Sequence, residues 1–256
     1  MSNLLEGKTA LVLGIANRWS LAFAIAQAFQ REGAQLVLTY QGERLRETLE
    51  SLGAETGASR ILQCDVSRDS DLEQLAETLQ GGGGRLDTVV HSIAFANRED
   101  LSRPFLETSR SGFLLAHEIS AYSMVAVARA VAPLMREGGS ITTLTYLGAT
   151  RVVPNYNVMG VAKAALESCT RYLAGELGAR NIRVNAISAG PVKTASARAV
   201  KDFSSILDHV AERAPLKRNC TAAEVADAAV FLASDLGRGV TANILFVDAG
   251  FHVMGY

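Results

Sequence analysis

Apolar positions follow two alternating patterns along this chain. Short continuous apolar runs occur at Lys8 to Gly14 (KTALVLG), at 34–40 (AQLVLTY) and at 58–66 (ASRILQCDV). Similar runs return at 86–94, 139–146, 182–190 and 244–250. Each is short enough for a strand and apolar enough to be buried on both faces. Between the runs, apolar residues recur at helical spacing, as Leu21, Ile25, Ala28 and Phe29 do within 20–31. The same spacing predicts helices over 43–52, 71–79, 110–135, 156–178 and 224–233. Gly81 to Gly84 predict a turn. The stretch 192–216 is the least regular, and a mobile loop with short helices is expected there.

Strands that alternate with helices imply a parallel sheet covered on both faces. Right-handed crossovers then give a doubly wound, Rossmann-type α/β fold with a seven-stranded parallel sheet flanked by helices. No repeat, linker or low-complexity segment divides the chain, so one domain over 1–256 is expected.

Composition narrows the function classes. The net charge of −1 implies no general attraction to nucleic acid. Three widely spaced cysteines, Cys64, Cys169 and Cys220, suggest neither a disulfide framework nor a zinc site, and a reducing cytoplasmic compartment is the natural expectation. His117, His209 and His252 are scattered, so no metal site is expected. The opening MSNLLEGKTALVLG lacks a cationic segment followed by a long apolar one, so no signal peptide is predicted. No apolar run reaches the roughly 20 residues of a membrane helix, so no membrane insertion is expected.

The first strand runs into GIANRWSLAFAIA, where a dinucleotide fold needs backbone N–H groups near a pyrophosphate. Gly14 suits a tight turn, and Ser20, Leu21 and Ala22 stand at the helix start. The pattern is G-x5-S-x-A, which alone also describes a structural turn. Asp65 and Val66 end the third strand, where a carboxylate could accept the adenine amino group or cap a turn. Ser92, Ile93 and Ala94 end the fourth, beside the expected adenosine ribose. His91 is expected to pack within the fold.

Three segments then resemble the short-chain dehydrogenase/reductase superfamily: YNVMGVAKAALES (156–168), NIRVNAISAGPVKT (181–194) and the long stretch 221–250. Within it the chain is most similar to the enoyl-acyl carrier protein reductases. Three departures carry that likeness: the G-x5-S-x-A turn, HSIAFA at 91–96, and the extra Tyr146 in YLGATRVVPNYNVMGVAK. The resemblance implies an oxyanion donor at Tyr156, a cofactor anchor at Lys163, and a substrate-positioning residue at Tyr146. On a regular helix Tyr156 and Lys163 would share a face about 10 Å apart along the axis. Gly160 between them would leave room for a ribose, and Lys163 would lower the tyrosine pKa. A ketone reductase would instead want a serine near Thr143 and an asparagine where Ser120 stands; an idle NAD(H)-sensing scaffold would not need the Tyr–Lys pair.

The family pattern also places Gly190, Pro191, Val192 and Thr194 at the nicotinamide and pyrophosphate. Ala94, Phe95, Leu101, Met159, Val200, Phe203 and Ile206 are candidates for an acyl channel, with a substrate-binding flap at about 192–216. Each of these apolar residues taken alone also suits a core. Gln41 and Gly42 after the second strand are neutral, which favours NADH; Arg44 and Arg46 leave NADPH open. The implied partners are an enoyl-acyl carrier protein substrate and three further copies of the chain in a homotetramer.

Overall fold

The computed structural model describes residues 3–194 and 202–255. Seven strands form one parallel sheet in the order β3-β2-β1-β4-β5-β6-β7. They are β1 (Thr9–Leu13), β2 (Gln35–Tyr40), β3 (Arg60–Gln63), β4 (Thr88–His91), β5 (Gly139–Thr145), β6 (Ile182–Ala189) and β7 (Ile244–Val247). All neighbouring pairs are parallel, with Leu13 opposite His91 and Thr145 opposite Ser188. The expected doubly wound architecture is present, with every strand shorter than its apolar run. The residues beyond each strand's last ladder pair form the loops that carry the site.

Helices α1 (Leu21–Arg31), α2 (Arg46–Thr56) and α9 (Ala222–Ala233) supply one apolar layer. Helices α3 (Asp69–Gly81), α6 (Ser123–Val131) and α7 (Asn157–Leu177) supply the other. Helix α9 starts two residues earlier than the apolar spacing predicts. Its Thr221–Glu224 capping box satisfies the first-turn N–H groups. Helix α4 (Arg98–Ser102) was missing from the sequence expectation, and α8 (Phe203–Arg213), eleven residues long, falls where short helices were expected without bounds.

The long helix expected over 110–135 is interrupted. It runs as α5 (Arg110–His117), a wider π-turn at Glu118–Tyr122, then α6 and a final 3₁₀ turn at Ala132–Leu134. The Ser123 N–H reaches the Glu118 carbonyl, five residues back. The Ile119 carbonyl, left without its usual partner, accepts instead from Ser123 Oγ at 2.7 Å. By length and composition alone the segment Arg110–Leu134 is long and apolar enough to cross a membrane. Half of its most apolar window is nevertheless buried within the domain, as for a core helix.

Candidate active site

A cavity of about 840 Å³ opens beyond the carboxyl ends of the strands, where the strand order reverses between β1 and β4. This is where open parallel sheets bind ligands. The cofactor and acyl-site candidates from the sequence line it, except Ala22, Gly42, Arg44 and Arg46, which do not, and Val200, which lies outside the described residues.

At one end the walls are main chain. Gly14 has φ +97°, and a side chain there would collide with the Ser92 carbonyl. Only glycine lets β1 and β4 lie this close beside the cavity. Ser20 stands at the N-cap of α1, and its Oγ accepts from the N–H groups of Ala16 and Asn17 at 3.1 Å each. The serine thereby closes the loop, and its own proton stays available to an anion at the helix start. Gln41 Nε2 donates to Asp65 Oδ2 at 3.3 Å, and Ser67 donates to Asp65 Oδ1 through both N–H and hydroxyl. Asp65 therefore shapes a turn as well as lining the cavity. Gly190 donates its N–H to the Val247 carbonyl, and a Cβ there would press on Asp248 and Cys220 at about 3 Å. Leu21, Val66, Ile93, Ala94, Pro191, Val192 and Thr194 complete this wall.

At the other end the walls are side chains. Tyr146 follows β5, and its ring meets Tyr156 edge to face, with centroids 4.9 Å apart at 70°. Leu101 and Met159 sit in a small apolar cluster with Ala116, Val158 and Ala162, against which Tyr156 packs. Phe203 and Ile206 of α8 cover this end, and half-exposed Phe95 faces the cavity.

The structure corrects the helical geometry expected around Tyr156. The tyrosine stands just before α7, at its N-cap, between Asn155 and Asn157, both with positive φ (62° and 43°). Asparagine tolerates that conformation better than most residues. Asn157 Nδ2 donates to the Arg103 carbonyl at 2.8 Å, tying the start of α7 to the end of α4. Gly160 leaves no ribose gap. Its missing Cβ is needed because the Gly148 carbonyl would lie 2.7 Å away, while Gly148 itself gives space to the Tyr156 ring.

Lys163 is buried and its Nζ donates to the Leu144 carbonyl at 2.7 Å. Burial lowers its pKa to about 8, with Glu167 opposing the drop. The tyrosine pKa moves opposite to expectation. Burial pushes Tyr146 up to about 12. It pushes Tyr156 well above the ordinary range, with Tyr146 adding to the rise. Both hydroxyls therefore keep their protons at neutral pH, as hydrogen-bond donors must.

His91 is fully buried, as expected. Its Nε2 lies 2.8 Å from Ser123 Oγ and its Nδ1 3.0 Å from Thr143 Oγ1. A neutral imidazole donates through one of these nitrogens and accepts at the other, so the two hydroxyls hold the ring from both edges. Burial and the Lys163 charge hold His91 neutral, with a pKa near 3. Thr143 is fully buried and donates to the His91 carbonyl, so it does not stand in for a ketone reductase's serine. Ser120, on the π-turn, is fully buried and grips Phe95 twice: its Oγ accepts from the N–H at 2.9 Å and donates to the carbonyl at 3.0 Å.

The reading of the sequence missed Leu115, Glu118 and Ile119, which the π-turn region brings to the cavity, and Val153 before Tyr156. A regular helical period over 110–135 carries no mark of the extra residue that turns them inward. Among the described residues, no group of three His, Cys, Asp or Glu could hold a metal ion.

Residues 14–252 match the family described as Enoyl-(Acyl carrier protein) reductase. The chain is 54% identical over 254 residues to the NADH enoyl-acyl-carrier-protein reductase of Bacillus cereus, covering 98% of this chain and 99% of that one. It is 51% identical over 252 residues to the NADPH enoyl-acyl-carrier-protein reductase of Staphylococcus aureus (strain MRSA252), covering 98% of each. The crystal structure of the Bacillus cereus enoyl-acyl carrier protein reductase with NADP+ and indole naphthyridinone superposes with a TM-score of 0.98 at 53% identity, covering 100% of both chains. The chain belongs to the enoyl-(acyl carrier protein) reductase family.

Proposed function

We propose that this chain reduces the trans-2 double bond of enoyl-acyl carrier protein thioesters with NADH, the last step of the fatty acid elongation cycle. The observation that carries this reading is the Tyr146–Tyr156 pair and Lys163 lining one cavity with the Gly14 cradle.

The cradle fits a dinucleotide. Gly14 leaves open main chain where a side chain would collide, and Ser20 offers a hydroxyl at a helix N-terminus. Asp65 suits the adenine edge, and Gly190, Pro191, Val192 and Thr194 the pyrophosphate and nicotinamide amide. Lys163 donates one hydrogen bond to Leu144, and its remaining N–H groups would hold the ribose of a bound cofactor.

The nicotinamide supplies a hydride to C3 of the enoyl group. Negative charge then develops on the thioester oxygen as an enolate, and C2 is protonated afterwards. Tyr156, held neutral by burial, donates to that oxygen while the charge exists. Tyr146 walls the acyl site and fixes the substrate against the Tyr156 ring. Phe95, Leu101, Met159, Phe203 and Ile206 receive the acyl chain, with α8 covering it; the rest of the flap expected at 192–216 includes residues 195–201, which lie outside the described residues.

NADH is favoured because Gln41 is neutral and engaged with Asp65, and Arg46 is engaged by Glu43 and Glu50 at 2.9 Å each. Exposed Arg44 is the remaining cation for a 2′-phosphate. A homotetramer in a reducing cytoplasm completes the reading. Exposed Phe113, Leu114, Val161 and Tyr172 on the long helices, and the half-exposed edge strand β7, support burial between subunits. A monomer by light scattering at micromolar concentration would contradict the tetramer.

The test of the reaction follows nicotinamide absorbance with crotonyl thioester and then acetoacetyl thioester. Oxidation with the first alone is expected. Turnover of the second alone would make this a ketone reductase.

A further inference from the structure

Two charged side chains lie one helical turn apart on α7, and both are buried: Lys163 is 6% exposed and Glu167 is 7% exposed. Buried charges persist only when paired or well hydrogen-bonded. The end of β5 holds both. The Leu144 carbonyl accepts from Lys163 Nζ at 2.7 Å, and the next residue, Thr145, donates its hydroxyl to Glu167 Oε1 at 2.8 Å. We propose that Glu167, one turn from Lys163 and not in direct contact with it, acts through space as its buried counter-ion, a positioning residue that keeps the cofactor anchor charged, and that Thr145 fixes its carboxylate for this task. The proposal rests on the reading of Lys163 as the ribose anchor.

The surrounding groups leave this role to Glu167. His91 of β4 is neutral, so it offers Lys163 no negative charge. Tyr146 and Tyr156 keep their protons. Glu118 on the π-turn lines the cavity but is exposed to water. Asp100 of α4 is buried and accepts from the Ser109 N–H. Arg183 of β6 donates to the Leu232 and Ser234 carbonyls. Arg171, one turn beyond Glu167, helps keep that carboxylate ionised.

The electrostatics agree in sign. Burial lowers the Lys163 pKa, and Glu167 is the partner that raises it. Burial raises the Glu167 pKa, while Thr145, Arg171 and Lys163 lower it. Each ion therefore favours the charged form of the other. Without Glu167, burial acts unopposed on Lys163, and its charge is lost at lower pH.

The experiment measures NADH dissociation constants from pH 6 to pH 9 by nicotinamide fluorescence. In the parent, affinity falls as pH rises through about 8, where Lys163 deprotonates. Glu167→Gln keeps an acceptor for Thr145 but removes the charge, so the midpoint moves down by about one unit or more, and binding recovers toward pH 6. Thr145→Val moves the midpoint the same way by less. If Glu167→Gln does not fold, Thr145→Val carries the test. Lys163→Met abolishes the limb. A midpoint unchanged in the folded variants, even with affinity weakened equally at every pH, makes Glu167 merely structural and overturns the proposal. A limb that persists in Lys163→Met overturns the anchor reading itself, and the counter-ion role with it.

Discussion

Gly14 and Phe95 line the same cavity and are held there by different means. Gly14 is defined by what it lacks: main chain of β1 lies against the Ser92 carbonyl, and no side chain fits between. Phe95 is defined by what grips it, since the Ser120 hydroxyl takes both its N–H and its carbonyl. The contrast extends to the surrounding walls. The main-chain end is strand termini and loop amides, whereas the side-chain end is tyrosine rings, a small apolar cluster and residues of α8. A wall of main chain tolerates almost no added volume. A wall of side chains can change size without disturbing the sheet.

The largest effect is expected from adding one methyl group at the main-chain end. Gly14→Ala places a Cβ against Ser92 and asks alanine to hold φ +97°. Overpacking and a left-handed alanine each cost about 1–3 kcal/mol. Loss of measurable NADH binding by calorimetry is the expected outcome; parental affinity would break the contrast between the two ends. Next in size is Tyr156→Phe, which removes a donor and leaves the ring packing. A fall in kcat on the order of a hundredfold, about 3 kcal/mol, is expected in steady-state assays, with NADH binding retained. Tyr146→Phe should change KM more than kcat. If Tyr146→Phe abolishes turnover while Tyr156→Phe keeps full rate, the two roles are exchanged. The smallest effect concerns the loop after β2. Gln41→Arg with Gly42→Lys should shift the ratio of kcat/KM values roughly tenfold toward NADPH, by supplying cations for a 2′-phosphate. A parent that already prefers NADPH would move that role to Arg44.

The same contrast explains what the sequence discloses. Parallel strands buried on both faces must be continuously apolar, so all seven could be read from their runs, and with them the strand ends where ligands collect. Gly14, Ser20 and Asp65 followed from position alone. The side-chain end of the cavity was legible mainly through resemblance, because Leu101 and Met159 look like any core residues. Local geometry around Tyr156 was not legible from the period of 3.6. The helix starts one residue later, and left-handed Asn155 and Asn157 break the wheel on either side of the tyrosine. Those two asparagines were the available signal. Gly160 illustrates the general limit: a glycine shows that something is close, but not whether it is ligand or protein. Here it is the Gly148 carbonyl.

The π-turn at Glu118–Tyr122 carries one more consequence. A turn closed by a five-residue step holds one residue more than a regular helical turn. The segment Arg110–Leu134 can therefore be viewed as an ordinary helix into which a single residue has been inserted. On either side, α5 and α6 keep their own packing faces, and the surplus is absorbed locally as a bulge. That bulge presents Ser120 to Phe95 and leaves the Ile119 carbonyl to the Ser123 hydroxyl. Shortening the chain by one residue here would let the helix close regularly, while withdrawing a clamp from Phe95 at the cavity. For this stretch, length shapes the cavity wall as much as residue identity does.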